Sequence, residues 1–172
     1  MKISIFFFII AILTNFSVNA QRTIQPTDSL RVTGKVKNPT TFTLAELDTF
    51  PKTSIKDQII SNQKGEVKDT LTGMSGIPLR NLLASILYIY DKPKFLNEFY
   101  FVFIASDGYR VVFSWNEIYN TATGNNFFII TEIEGKKLKD LGQRILFIST
   151  ADLITGRRYI KGLEKIEVRQ LE

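Results

Sequence analysis

The densest group of chemistry-bearing side chains in this 172-residue chain is Gly156-Arg157-Arg158-Tyr159-Ile160-Lys161. Three cations beside a flexible glycine suit phosphate or pyrophosphate, because arginine offers a two-pronged fork and lysine a compact point charge. The same six residues would also serve as a solvated loop whose charge keeps the chain soluble. A second candidate, Asp107-Gly108-Tyr109, would set a carboxylate and a phenol at a pocket rim. A hairpin turn with Gly108 at positive φ accounts for it more simply.

What the chain lacks excludes more than what it has. It contains no histidine and no cysteine. Thiolate and imidazole catalysis are therefore closed to it, as are the usual zinc, copper and iron ligand sets. An all-oxygen Ca²⁺ or Mg²⁺ site needs clustered acids, and the acids are scattered except at Glu132 and Glu134, which flank a turn. Twenty-two Lys and Arg against seventeen Asp and Glu give a net charge of +5. The basic residues are spread along the chain and form no stripe, so nucleic acid is not an expected partner.

The elements that must position these residues follow from periodicity. Leu30 to Val36 alternates as a strand and ends at Asn38-Pro39. Thr43 and Glu46 have capping-box spacing and open a short helix closed by Pro51. Residues 54–60 predict a strand, 62–66 a turn, and Val67 to Leu71 a strand pairing back. Leu79, Leu82, Leu83, Ile86 and Tyr90 fall at helical spacing after Pro78, which predicts one main amphipathic helix over 78–90. Phe99 to Ile104 is apolar on both faces and reads as a central strand, with Arg110 to Phe113 as its hairpin partner. Ser114 and Glu117 form a second capping box. Strands follow at 127–133, 145–148 and 163–168. The expected class is α+β, with a mixed, mostly antiparallel, barrel-like β core, one main helix and short helices.

The first twenty residues have the form of a Sec signal peptide: Lys2, an apolar run from Ile3 to Leu13, and Val18-Asn19-Ala20 before a cleavage point. The alternative, a membrane anchor, needs about 20 apolar residues, and Asn15, Ser17 and Asn19 dilute this run. The expectation is export through Sec to the periplasm or the exterior, with no stable membrane anchor after cleavage. Residues 21–29 form a polar, flexible leader, and residues 30–172 one domain.

Taken in order, the motifs resemble the molybdopterin-binding domain of the sulfite oxidase family. Gly34-Lys35-Val36-Lys37-Asn38-Pro39 and Thr43-Leu44-Ala45-Glu46-Leu47 match its opening "G-x-V-x-x-P" and "T-x-x-E-L". Gly76-Ile77-Pro78-Leu79-Arg80-Asn81-Leu82-Leu83 is similar to "G-V-P-L-x-x-L-L", and Asp107-Gly108-Tyr109 to "D-G-Y". Glu132-Ile133-Glu134-Gly135-Lys136-Lys137-Leu138, followed by Gly142, resembles "E-x-x-G-x-x-L" and its glycine. Arg158-Tyr159-Ile160-Lys161-Gly162-Leu163 through Val168 resembles "R-x-V-K-x-L-x-x-I-x-V".

The resemblance implies a molybdopterin groove with Arg158 and Lys161 on the pyrophosphate side. It also implies a molybdenum-ligating cysteine within 54–72, where this chain has none and Ser61 is the nearest polar residue. The family's histidine is absent, "G-P-L-R" has become Gly142-Gln143-Arg144-Ile145, and "V-P-G" reads Ile148-Ser149-Thr150. The n-region also lacks the twin arginine of members exported with cofactor already loaded.

Three readings follow. The first is an exported, non-redox domain holding a pterin or another anionic small molecule through Ser61, Asp107, Tyr109, Arg157, Arg158, Tyr159 and Lys161. The second is a molybdopterin-dependent oxidoreductase, or a subunit of one, with an atypical metal ligand. The third is an envelope module whose partner is a protein.

Overall fold

The computed structural model describes residues 23–172; the signal-peptide segment lies outside the described residues. The chain opens with β1 (Ser29–Gly34), β2 (Thr40–Thr43) and α1 (Leu44–Thr49). The first capping box is formed as expected: the Thr43 hydroxyl accepts the Glu46 N–H, and the Glu46 carboxylate accepts the Thr43 N–H at 2.7 Å. Next come β3 (Thr53–Ile55), β4 (Gln58–Ser61), β5 (Val67–Leu71), β6 (Met74–Pro78) and α2 (Leu79–Leu82). The second half comprises β7 (Phe99–Ala105), β8 (Arg110–Ser114), α3 (Trp115–Tyr119), β9 (Phe127–Ile133), β10 (Lys136–Lys137), β11 (Leu146–Ser149) and β12 (Leu163–Gln170).

These strands form two larger sheets and a separate hairpin, not a closed barrel. One sheet has the order β2-β1-β12-β7-β8. In the other, β9 pairs with β6 and β3 beyond it, and also with β10 and β11. β4 and β5 pair only with each other. Among the described residues β1–β12 is the parallel pairing and the rest are antiparallel. The core between the sheets is rich in phenylalanine. Phe99, Phe101 and Phe103 of β7 are buried, and Phe103, Phe113, Phe127 and Phe147 contact one another at 4.8–5.9 Å between ring centroids.

The main helix expected over 78–90 does not form. α2 ends after one turn, a 3-10 turn occupies Leu83–Ser85, and the chain is extended from Ile86. Tyr88 bridges Val36, the Lys37 N–H donates to the Leu87 carbonyl, and the Ile89 N–H donates to Lys35. The run Ile86-Leu87-Tyr88-Ile89-Tyr90 is β-branched or aromatic at all but Leu87, and Ile86 and Tyr88 are its less exposed positions, so it satisfies a strand period as well as a helical one. An open backbone edge at 35–37 settles the choice.

The strand expected at 54–60 is broken at Lys56-Asp57 into two strands of different sheets. Residues 23–28, the described part of the polar segment before β1, have no regular structure, but Thr27 among them is buried. Its hydroxyl accepts the Ile145 N–H at 2.9 Å and lies within hydrogen-bonding distance of the Arg144 and Leu163 carbonyls. Among the described residues no helix is long and apolar enough to cross a membrane.

Candidate functional site

The β4–β5 hairpin pairs with neither sheet but buries Ile60 and Leu71 in the core, and the space between it and the segment 155–161 is an open groove of about 640 Å³. That volume suits a small organic ligand. Asn62 builds the hairpin's turn: its Oδ1 accepts the Lys64 and Glu66 N–H groups, and Gly65 has φ 79°. Thr155 ties the hairpin to the body, accepting the Ser61 N–H at 2.9 Å while donating to the Ile59 carbonyl at 2.7 Å. Gly156 permits the close approach, since a Cβ there would lie 2.5 Å from the Ser61 carbonyl oxygen. The glycine in the cationic segment is thus a packing requirement.

Of the residues singled out in the sequence, Ser61, Tyr109, Arg157, Tyr159 and Lys161 line the groove. The Tyr109 hydroxyl donates to the Arg157 carbonyl at 2.6 Å, which fixes the loop from the far side. The Arg157 guanidinium donates to Gln63 Oε1 at 3.0 Å, and Lys161 Nζ lies 5.2 Å from the Tyr159 ring centroid. Among the described residues neither cation forms an ion pair. Burial, with the nearby Asp69 carboxylate, pushes the Tyr159 phenol up to about 12.

Two expected members do not line the groove. Asp107 serves its own turn: Oδ1 accepts the Tyr109 N–H at 2.8 Å, and Gly108 has the expected positive φ of 83°. Arg158 points the other way. Its guanidinium grips both oxygens of Asp152, at 2.7 and 2.5 Å, and Glu117 Oε1 at 2.6 Å. It also lies over the rings of Phe113 and Phe127, at 4.9 and 5.4 Å. The hydrogen bonds to Asp152, with those to Glu117, hold it above the ordinary arginine pKa. Arg158 is a structural clamp, and of the two arginines it is Arg157 that lines the groove.

Sequence reading missed Ile24, Asn62, Gln63, Lys68 and Asp69, which also line the groove. No sequence signal marked the hairpin as a groove wall; in the structure Val67 to Thr70 is exposed at four consecutive positions and only Leu71 of β5 is buried.

The side-chain oxygens lining the groove are those of one serine hydroxyl, two phenols, two amides and one carboxylate, all hard donors. Among the described residues no group of three Asp, Glu, His or Cys side chains could hold a metal ion. This set does not fit a molybdenum centre gripped by a thiolate. The cationic side does fit an anion.

No family model matches the chain, and no curated protein matches it. Among solved structures, it is similar to a chain of the sulfane dehydrogenase SoxCD from Paracoccus pantotrophus, with a TM-score of 0.59 and 17% identity. The alignment covers 81% of this chain but 37% of that one. The likeness is one of fold alone: a mixed, mostly antiparallel α+β architecture.

Proposed function

We propose that this chain is an exported, non-redox binding module on a sulfite-oxidase-like fold, whose groove takes an anionic small molecule of the pterin-phosphate kind. One observation carries the reading. Arg157 and Lys161 both line a ligand-sized groove, among the described residues with no carboxylate partner of their own, beside the Tyr109 and Tyr159 phenols. Uncompensated cations at a concave site attract and orient anions, and each charge-assisted hydrogen bond contributes about 1.5–3 kcal/mol where water is excluded. The motif resemblance supports the reading through Lys161, which lines this groove, and the fold likeness to a sulfane dehydrogenase is compatible with it. The hard-oxygen donor set argues for a site that has lost its metal chemistry and kept its anion chemistry.

Titration with a phosphorylated pterin, followed by pterin fluorescence, tests the reading. Binding should be saturable, and Arg157→Ala and Lys161→Ala should each weaken it about tenfold. Absence of binding to the pterin phosphate and to inorganic pyrophosphate refutes the anion-binding half. Molybdenum at near-stoichiometric level in protein purified from its native host refutes the non-redox half.

A further inference from the structure

Opposite charges face this groove without meeting. Arg157 and Lys161 enter from the 155–161 side. Asp69 enters from β5, and among the described residues it forms no ion pair. Its Oδ1 accepts the Thr70 N–H at 2.9 Å. The adjacent Lys68 is engaged elsewhere, with Nζ 2.8 Å from Glu66 Oε2. No cation of the groove therefore approaches the Asp69 carboxylate within 4.0 Å. The remaining wall includes Ile24, Ile60 and the ring of Tyr159, surfaces that suit an apolar or planar spacer.

A plain anion in this groove would satisfy the two cations but face a carboxylate of its own sign. A ligand carrying a protonated amine as well would meet complementary charge on both sides, and specificity arises as much from the repulsion it avoids as from the contact it gains. We propose that the groove selects zwitterionic small molecules: an anionic head for Arg157 and Lys161, and an ammonium for Asp69. This rests on the anion-binding reading above and narrows its ligand class.

The probes are ω-aminoalkyl phosphates with two, four and six carbons, each matched to an n-alkyl phosphate of the same length. Calorimetric titration of the chain should show at least one aminoalkyl phosphate binding about fivefold more tightly than its match, the size expected of one partly exposed ion pair. Asp69→Asn should abolish that preference and leave alkyl phosphates bound as tightly as before or more so. Its melting temperature serves as the control for folding, since Asp69 is an exposed side chain. Alkyl phosphates that bind with no preference for the amine, or a preference that survives Asp69→Asn, overturn the zwitterion inference alone. If neither probe class binds, the anion-binding reading falls with it.

Discussion

Adjacent arginines with opposite roles allow a sharp experiment. Truncating Arg158 to alanine removes three hydrogen bonds to carboxylates and the stacking over Phe113 and Phe127. The Asp152 side chain is 9% exposed and would keep the Ser149 hydroxyl, which donates to its Oδ1 at 2.5 Å. Stripping one partner from a buried ion pair costs about 3–5 kcal/mol. The Glu117 share is smaller, because at 35% exposure water resolvates that carboxylate. The clamp is itself 22% exposed, so the expected cost lies at the low end, about 3 kcal/mol.

For a domain of about 150 residues, each kcal/mol moves the melting temperature by about 2–4 °C, giving a fall of about 6–12 °C. Arg157→Ala, on an exposed side chain, should stay within about 0.5 kcal/mol of the parent. Thermal melts by circular dichroism, with urea titration to check that the slope is unchanged, measure both. An Arg158→Ala protein that melts with the parent refutes the clamp, and an Arg157→Ala protein that melts as early refutes the division of labour.

Two further outcomes follow from buried polar groups. Thr27→Val leaves the buried Ile145 N–H without its acceptor and should cost about 1–3 kcal/mol in urea unfolding, whereas Thr27→Ser should cost less than about 1 kcal/mol. Burial raises the phenols of Tyr88, Tyr119 and Tyr159, the last to about 12, so at about pH 11 the folded chain should show less phenolate absorbance than the unfolded one. The unfolded chain then binds fewer protons than the folded one. The stability that Tyr159 contributes is therefore complete below about pH 10 and declines as pH rises through about 12. Complete ionisation of the still-folded protein by about pH 11 would contradict this.

Short-range chemistry was legible in the sequence. Both capping boxes form where Thr43/Glu46 and Ser114/Glu117 place them, because a hydroxyl and a carboxylate three residues apart need only each other's backbone. β7 was legible because phenylalanine on alternate positions with valine and isoleucine between leaves no solvent face. Segment 78–90 was not, because its apolar positions fit both periods and the deciding partner lies some fifty residues earlier, at Val36.

The groove was half legible. The cationic run was visible, but a 3-10 turn over Thr155–Arg158 decides which arginine faces inward, and adjacent residues diverge there in a way that composition does not encode. Asp69 and Gln63 were invisible for a different reason. They matter only because Thr155 and Gly156 bring a distant hairpin against the cationic loop. Asp107 had the right chemistry for a rim but is consumed by the turn that displays Tyr109.

The place of β12 has a consequence for how the molecule comes into being. This strand, the last among the described residues, is the middle of its sheet, bonded to β1 on one side and β7 on the other. A ribosome must therefore add well over a hundred residues after β1 before residues near 30 can meet residues near 165. Such long-range closure is slow and leaves apolar strands exposed while it waits. A stop codon shortly before residue 163 would remove this sheet's spine while leaving every strand of the other sheet in place.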